Sequence, residues 1–251
     1  EKTIDRDPIK QFQTWLNDAF EAGLPLAEAM TLATATSDGK PSARMVLLKQ
    51  VDHDGFVFYT NYNSAKAQQL DANPHAALVF YWAKLDRQVR IEGSLTRTSR
   101  EESREYFATR PRESQIGAWA TEQSEEIESR VVLEQRAAEL ENQYDGGEID
   151  CHEHWGGYRL KPDKFEFWQG RPNRLHDRFR YSRKADGTWL IDRLAPCCRT
   201  ETCCARAHGE RMLGRVIGGI TYGGPIMCRP FILSSQNLNG KRYVNGTKKP
   251  I

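Results

Sequence analysis

The sequence has 251 residues, of which 39% are hydrophobic and 28% are charged, and its formal net charge is +2. These proportions are typical of a globular protein rather than a disordered one. The sequence contains no run of about 18 apolar residues, so we expect no membrane-spanning helix. No signal-peptide pattern opens it, but it begins at Glu1 rather than Met, so targeting stays open.

The N-terminal part of the chain predicts one helix followed by a series of strands. Asp7 and Pro8 form a favourable helix start, apolar residues then recur at helical spacing, and Gly23 is a helix stop. Turn sequences divide the next part into five predicted strands, 30–36, 43–51, 56–61, 76–82 and 88–98. Short strands at this spacing predict an antiparallel barrel or sandwich.

Helices interrupt these strands and more strands follow them. Predicted helices cover 64–70, a segment from Ser99 to about residue 109 with Glu102 completing a capping box, a short segment led by Ser114 and Gln115, and 129–144. The last predicted strands are 157–160, 164–168, 178–182 and 189–194. The sequence therefore predicts a mainly β fold of the α+β class, with peripheral helices.

Several cationic and hydroxyl side chains lie where an anion could bind. Arg44 and Lys49 end an alternating segment, so they face opposite sides of a strand unless a bulge intervenes. Lys66 lies in the first turn of a helix that follows residues 59–61, and helix N-termini bind phosphate. Solvated charges on an edge strand explain Arg44 and Lys49 equally well, and an ordinary helix cap, the commoner arrangement in general, explains Lys66.

A second set of polar residues has the same two interpretations. Tyr106 and Arg110 share a helix face, and Ser114 follows them, so the three can hold a phosphate or belong to a solvated helix end. Gln88 can offer its amide to a heterocycle. The segment 168–178 places an indole, an imidazole and several arginines between two predicted strands. This composition suits a flat ring bearing a phosphate better than a plain turn.

Other chemistries lack support in the sequence. No dinucleotide-binding or P-loop motif is present. Cys151, His152 and His154 are too close in sequence to form a good tetrahedral site, and the paired cysteines at 197–198 and 203–204 lack the usual spacing. We therefore predict no metal site.

The composition changes after residue 196. Residues 197–251 hold five of the six cysteines, nine Lys or Arg and two Glu. The single cysteine before this point, Cys151, is typical of a reduced, cytoplasmic protein. We predict one domain over residues 1–196 and a poorly ordered tail over 197–251. A nucleic-acid-binding role for the basic tail is the less favoured interpretation.

The first 196 residues resemble the pyridoxine/pyridoxamine 5′-phosphate oxidase family, the flavoenzymes of vitamin B6 salvage. The matching motifs occur in family order: 41–49, 59–61, 80–82, 87–90, 114–118, 155–158, 168–178 and 193–196. The resemblance implies an FMN-binding split barrel that acts as a homodimer with sites at the subunit interface. One departure is Ala65, where the family often has an arginine, so one cation at the FMN phosphate is missing.

The resemblance also implies a reaction and a set of site residues. The 4′ carbon of pyridoxamine or pyridoxine 5′-phosphate would give a hydride to FMN, and O2 would reoxidise the flavin to give H2O2. Implied flavin contacts are Arg44, Met45, Val46, Leu47, Tyr59, Thr60, Lys66, Gln88, Gln123, Ser124, Trp168 and Arg178. Implied substrate contacts are Lys49, Tyr106, Arg110, Ser114, Arg174, Leu175 and His176.

Within this set, Arg174 and His176 are the implied catalytic residues, placed over the substrate ring. Either His176 or the flavin could take the proton of the substrate amine or hydroxyl. Two other functions remain open: a split-barrel relative such as a flavin reductase or haem-binding protein, and a non-catalytic carrier of a B6 phosphate. An absorption spectrum distinguishes all three.

Overall fold

The computed structural model describes residues 4–196, so the predicted tail over 197–251 lies outside the described residues. Five α-helices and nine strands occur in the described part of the chain. In order they are α1 Pro8–Glu21, β1 Ala29–Ala35, β2 Pro41–Leu47, β3 Gln50–Asp52, β4 Gly55–Asn61, α2 Ala65–Ala72, β5 His75–Trp82, β6 Arg87–Arg97, α3 Arg100–Ala108, α4 Arg112–Ala120, α5 Arg130–Tyr144, β7 Trp155–Gln169, β8 Asp177–Arg183 and β9 Trp189–Arg193.

The nine strands form one antiparallel sheet in the order β2-β1-β5-β6-β7-β4-β3, with β8 paired to β7 and β9 paired to β8. The long strand β7 pairs with β6 along most of its length, with β4 over its first half and with β8 over its second half. This branching curls the sheet into a half-barrel. The predicted mainly β, α+β class is confirmed.

The core lies between the curled sheet and α1. The helix begins as predicted, because Asp7 accepts the Ile9 N–H at 2.9 Å, and it buries Phe12 completely. The Phe12 ring lies 4.9 Å from Phe56 and 4.8 Å from Phe80, centroid to centroid. Edge-on aromatic contacts of this kind add to the free energy gained by burying the rings.

Two predicted strand boundaries are wrong, and both differences have a backbone cause. Segment 43–51 is split between β2 and β3, because the chain turns at Leu48 and Lys49; their N–H groups donate to Glu28 and Val57 carbonyls. Predicted strands 157–160 and 164–168 are instead one strand, β7. Its Pro162 is tolerated because it lies at a bulge in the pairing with β6.

The helix starts also differ in detail from the sequence pattern. Ser99 accepts the Glu102 N–H at 3.0 Å, but the Glu102 carboxylate binds Arg159 at 2.7 Å. Only half of the predicted capping box therefore forms. The helix predicted to start at Ser114 begins earlier, at Arg112. In the part of the chain that the structure describes, no helix has the length and apolar character to cross a membrane.

Candidate functional site

A cavity of about 460 Å³ lies among β2, β4, α2, α3, α4 and the start of β7. We call it the cationic cavity, because its described lining includes three cationic side chains and neither Asp nor Glu. Its volume lies in the usual range for small-molecule sites. The lining residues are Met45, Val46, Leu47, Lys49, Tyr59, Thr60, Asn61, Lys66, Tyr106, Arg110, Ser114, Gly117, Ala118, Thr121, Gln123 and Trp155.

The first turn of α2 places Lys66 at the cationic cavity. Its ammonium donates hydrogen bonds to Thr60 Oγ1 at 3.0 Å and to Gln123 Oε1 at 3.1 Å. Only 9% of Lys66 is exposed, and burial, followed by the charge of Arg44, lowers its pKa to about 8. Within residues 4–196 no carboxylate pairs with this ammonium. A buried amine without a counterion is unfavourable, and an anionic ligand would supply one.

The loop after α4 packs against the start of α2. Ser124 Oγ accepts the Ala65 N–H at 3.3 Å, and Gln123 accepts the Thr60 hydroxyl at 3.0 Å. The N-cap residue Ser64 is buried and makes no side-chain cap bond. A helix N-terminus beside a lysine and hydroxyls is a favourable set of donors for a phosphate group.

Stacked aromatic rings form one wall of the cavity. The Tyr59 ring stacks on Tyr106 at 4.1 Å and is also near-parallel to Trp155 at 5.2 Å, and the Tyr106 and Trp155 rings lie 6.2 Å apart, centroid to centroid. Burial, with a smaller contribution from Glu102, raises the pKa of Tyr59 to about 12. The Arg110 guanidinium lies 4.8 Å from the Trp155 ring centre. Aromatic stacking and this cation–π contact hold the wall in place.

Arg110 is a second, half-buried cation at this wall. Burial lowers its pKa, and its Nη1 atom is buried with no hydrogen-bond partner within residues 4–196. A buried guanidinium nitrogen without a partner costs free energy. Together with Ser114 and the exposed Lys49, it gives the cavity a second anion-binding end.

Arg44 lies outside the cavity lining. Its guanidinium donates to Thr34 Oγ1 at 2.6 Å, Ser42 Oγ at 2.7 Å and Gln69 Oε1 at 3.1 Å, and burial lowers its pKa. Lys49 lines the cavity because the chain turns after β2. Because of this turn, the alternation of side chains along β2 does not continue to Lys49, so the prediction that Arg44 and Lys49 face opposite sides of one strand does not apply.

The structure brings eleven of the nineteen predicted site residues together in the cavity lining. Those eleven are Met45, Val46, Leu47, Lys49, Tyr59, Thr60, Lys66, Tyr106, Arg110, Ser114 and Gln123. The other eight do not line the cavity of the described chain. They are Arg44, Gln88, Ser124, Trp168, Arg174, Leu175, His176 and Arg178.

Five of these eight lie at or in the hairpin loop, residues 170–176, which joins β7 to β8. Trp168 pairs with Gln88 on β6 and with Arg178 on β8. The Trp168 ring packs on His176 with 4.6 Å between centroids, while Leu175 is 62% exposed. The loop therefore presents a second group of predicted site residues away from the cavity lining.

Arg178 has an acidic partner, unlike the cavity cations. Its Nε and Nη2 atoms both lie 2.8 Å from Glu166 Oε1, and Nη1 donates to the Ala195 carbonyl at 3.0 Å. Glu166 is only 9% exposed. The charge of Arg178 is therefore balanced within its own chain.

Some residues that line the cavity have no role predicted from the sequence. Trp155 was part of a matching motif, but its stacking on Tyr59 and its contact with Arg110 depend on a fold that brings the start of β7 beside α3. Asn61 is the last residue of the matching motif at 59–61, but no site role was predicted for it. Thr121 gave no signal in the sequence.

Metal binding gains no support from the side chains that could serve as ligands. Among residues 4–196, three such side chains come together only at 52–54, where Arg159 binds both carboxylate oxygens of Asp52 at 2.8 Å. His152 uses its Nδ1 to accept the backbone N–H of His154 at 3.0 Å. The cysteine pairs at 197–198 and 203–204 lie outside the described residues.

Comparison with family models gives two matches that together span most of the described chain. A model described as "Pyridoxamine 5′-phosphate oxidase" matches residues 16–144. A second, described as "Pyridoxine 5′-phosphate oxidase C-terminal dimerisation region", matches residues 155–196.

Curated relatives and solved structures agree with these matches. Proteins named pyridoxine/pyridoxamine 5′-phosphate oxidase from Rubrobacter xylanophilus and Nostoc punctiforme are each 57% identical over 196 residues, covering 78% of this chain and 90% and 92% of the relatives. PhzG from Burkholderia lata 383, solved with tetrahydrophenazine-1-carboxylic acid, is 31% identical with a TM-score of 0.74, covering 78% of this chain and 95% of that one.

A more distant structure supports the fold alone. A pyridoxamine 5′-phosphate oxidase-related, FMN-binding protein from Nostoc punctiforme is 18% identical, with a TM-score of 0.61. The alignment covers 77% of this chain and all of that chain. Together with the antiparallel half-barrel sheet, this likeness confirms the predicted split-barrel fold.

Proposed function

The chain belongs to the pyridoxamine 5′-phosphate oxidase family, and we propose that it oxidises pyridoxamine 5′-phosphate and pyridoxine 5′-phosphate to pyridoxal 5′-phosphate with FMN as cofactor. One observation carries this proposal: the cationic cavity has three cations, no acidic lining residue in the described chain and a stacked aromatic wall. Such a lining fits flat ligands that bear phosphate groups.

The donors at α2 fit the phosphate of FMN. In this proposal Lys66, Thr60 and the loop residues Gln123 and Ser124 hold that phosphate, with Arg44 adding positive charge behind them. The remaining proposed flavin contacts are Met45, Val46, Leu47, Tyr59, Gln88, Trp168 and Arg178. When bound, FMN would supply the redox chemistry, namely hydride transfer from the 4′ carbon and reoxidation by O2 to give H2O2.

The other end of the cavity fits the phosphate of the substrate. Lys49, Tyr106, Arg110 and Ser114 together supply ammonium, guanidinium and hydroxyl donors. A phosphate held there would bind the unpartnered Arg110. Binding energy from a group remote from the reacting carbon lowers the entropic part of the barrier, because the substrate ring is then held in one orientation.

The remaining site residues are proposed to act across a subunit interface in a homodimer. Residues 155–196 match a family dimerisation region, and the hairpin loop exposes Leu175. Arg174, Leu175 and His176 of one subunit would cover the substrate ring in the cationic cavity of the other. In that position Arg174 and His176 orient the substrate.

The proposal is tested by spectroscopy and product analysis on the purified protein. We expect visible flavin absorption that bleaches when pyridoxamine 5′-phosphate is added without air, and peroxide release when O2 is admitted. A colourless protein that gains no flavin spectrum from added FMN would overturn the proposal. A haem spectrum, or flavin reduced by nicotinamide cofactors but by neither B6 phosphate, would assign the split barrel to another role.

A further inference from the structure

The hairpin loop adopts a backbone conformation that its sequence does not favour. Asn173 and Arg174 are consecutive residues with φ values of +57° and +59°. Asn adopts the left-handed region readily, but for Arg174 it is disfavoured, because Cβ crowds the following carbonyl oxygen. Such a conformation persists when surrounding interactions hold it, and it occurs often at functional sites.

Asp177 supplies those interactions from the end of the loop. Its Oδ2 atom binds Arg171 Nε at 2.7 Å and its Oδ1 atom binds Arg193 Nη1 at 2.7 Å. Hydrogen bonds from both arginines lower the pKa of the Asp177 carboxyl. One carboxylate therefore ties the start of the loop to its end and also to β9.

The same loop fixes the ring of His176. The backbone N–H of Arg171 donates to His176 Nδ1 at 3.1 Å, and the Trp168 ring packs against the imidazole. A backbone amide can only donate, so Nδ1 must carry the lone pair. In a neutral imidazole the hydrogen then lies on Nε2.

We propose that Asp177 and Arg171 are positioning residues that hold His176 as a hydrogen-bond donor through Nε2, and not as an acceptor of the substrate's proton. The inference rests on the proposed function for the contact between His176 and substrate. Neutral imidazole has one basic nitrogen, and here the Arg171 amide occupies it. His176 would therefore donate a hydrogen bond to an oxygen or nitrogen on the substrate ring.

Three substitutions separate a donor from an acceptor at His176. Glutamine and glutamate have nearly the same shape, but only His176→Gln keeps an N–H donor. We expect His176→Gln to keep kcat/KM for pyridoxamine 5′-phosphate within about tenfold of the wild-type value. In His176→Glu and His176→Ala we expect kcat/KM to fall about a hundredfold, because both variants lose one hydrogen bond to a charged or polar group. A glutamate variant more active than the glutamine variant would overturn the proposal.

A spectroscopic measurement tests the positioning role without turnover. In the FMN-loaded protein labelled with ¹⁵N-histidine, the His176 signals are assigned by their loss in His176→Gln. We expect a bare Nδ1 and a protonated Nε2 in the wild type, and a mixture of tautomers in Asp177→Asn with a lower kcat. The control Asp192→Asn breaks the neighbouring Arg180 pair, at 2.8 Å, and should leave the tautomer unchanged.

Different results contradict the positioning role of Asp177 and the proposed oxidase activity. A wild-type Nδ1 that carries the hydrogen, or an Asp177→Asn variant with wild-type tautomer and wild-type kcat, would overturn the positioning inference. A wild-type protein that oxidises neither B6 phosphate would overturn the proposed function, and the tautomer spectrum would still decide the role of Asp177.

Discussion

The cationic cavity and the hairpin loop are both rich in cations, but they balance their charges in opposite ways. At the cavity, Lys66 is buried and Arg110 is half-buried, and neither has an acidic partner in the described chain. At the loop, Arg171 binds Asp177 and Arg178 binds Glu166, at 2.7 and 2.8 Å. The two cations at the cavity therefore lack acidic partners in the described chain, whereas the two arginines at the loop form ion pairs.

This contrast indicates which cations are available to a ligand. An unpartnered buried cation raises the free energy of the empty protein and gains most when an anion arrives. A paired cation has already made one ionic contact, so it gains less from an arriving anion than an unpaired cation does. Arg174 lies in the hairpin loop, but it resembles the cavity cations because it has no ion pair of its own within residues 4–196.

The largest expected effect comes from breaking a pair near the loop. Glu166→Ala leaves Arg178 without its carboxylate, so we expect the free energy of unfolding to fall by about 3 kcal/mol, the lower end of the range for a buried ion pair. Arg178 is partly exposed, which is why the lower end applies. Urea unfolding of the FMN-free protein at fixed concentration measures the change.

Glu92→Ala is the matched control for this variant. Glu92 binds Arg90 at 2.9 Å and Lys164 at 3.0 Å, but it is more exposed than Glu166. Its loss should cost about 1 kcal/mol or less. If the two variants lose equal stability, the Glu166–Arg178 pair does not act as a buried pair.

The sequence predicted most of the fold because helix and strand signals are local. The cap at Asp7 and the stop at Gly23 bracket α1 correctly, since both depend on neighbouring residues alone. The two wrong strand boundaries depend on distant partners. The turn at Leu48 uses a carbonyl of Glu28, and the tolerance of Pro162 depends on a bulge against β6.

The candidate site could be predicted only as a set of residues. Lys66 in a helix first turn and Tyr106 four residues before Arg110 were visible as local patterns. Their meeting in one cavity requires the sheet that brings β4 beside β7. The absence of an acidic partner for Lys66 is a property of the folded chain, so no sequence pattern could reveal it.

A buried cation without an acidic partner is expected to affect ligand binding more than folding. In Lys66→Met we expect FMN affinity to fall by roughly ten- to a hundredfold, the loss of one charge-assisted hydrogen bond, while the FMN-free protein keeps its stability or gains some. Quenching of flavin fluorescence measures the affinity. Riboflavin, which lacks the phosphate, is the control ligand; an equal loss for riboflavin would show that Lys66 does not bind the phosphate.

Arg174 and Arg178 allow an unpaired cation and a paired cation to be compared within one short segment. We expect Arg174→Ala to lower kcat/KM at least about tenfold with nearly unchanged FMN affinity, because it removes an unpaired cation aimed at the substrate. Arg178→Ala should instead weaken FMN binding more than it lowers kcat/KM with saturating FMN. Equal loss of flavin affinity in the two variants would remove the proposed division of roles.

The smallest effect is a pH dependence of FMN binding. Burial lowers the pKa of Lys66 to about 8, from the ordinary lysine value of 10.5, so in the FMN-free protein the ammonium loses its proton as pH rises through about 8. The phosphate of FMN binds the charged amine, hence affinity should fall above pH 8, by no more than about tenfold per pH unit because one proton is involved.

The stability of the FMN-free protein should change in the opposite direction. Between pH 8 and 10.5 the unfolded chain holds the Lys66 proton while the folded protein has released it, so the contribution of Lys66 to the free energy of unfolding rises with pH. Lys66→Met should remove both trends, and riboflavin affinity should stay flat over the same range. If FMN affinity in Lys66→Met declines above pH 8 as in the wild type, another group titrates, and the low pKa does not describe the cation that binds the phosphate.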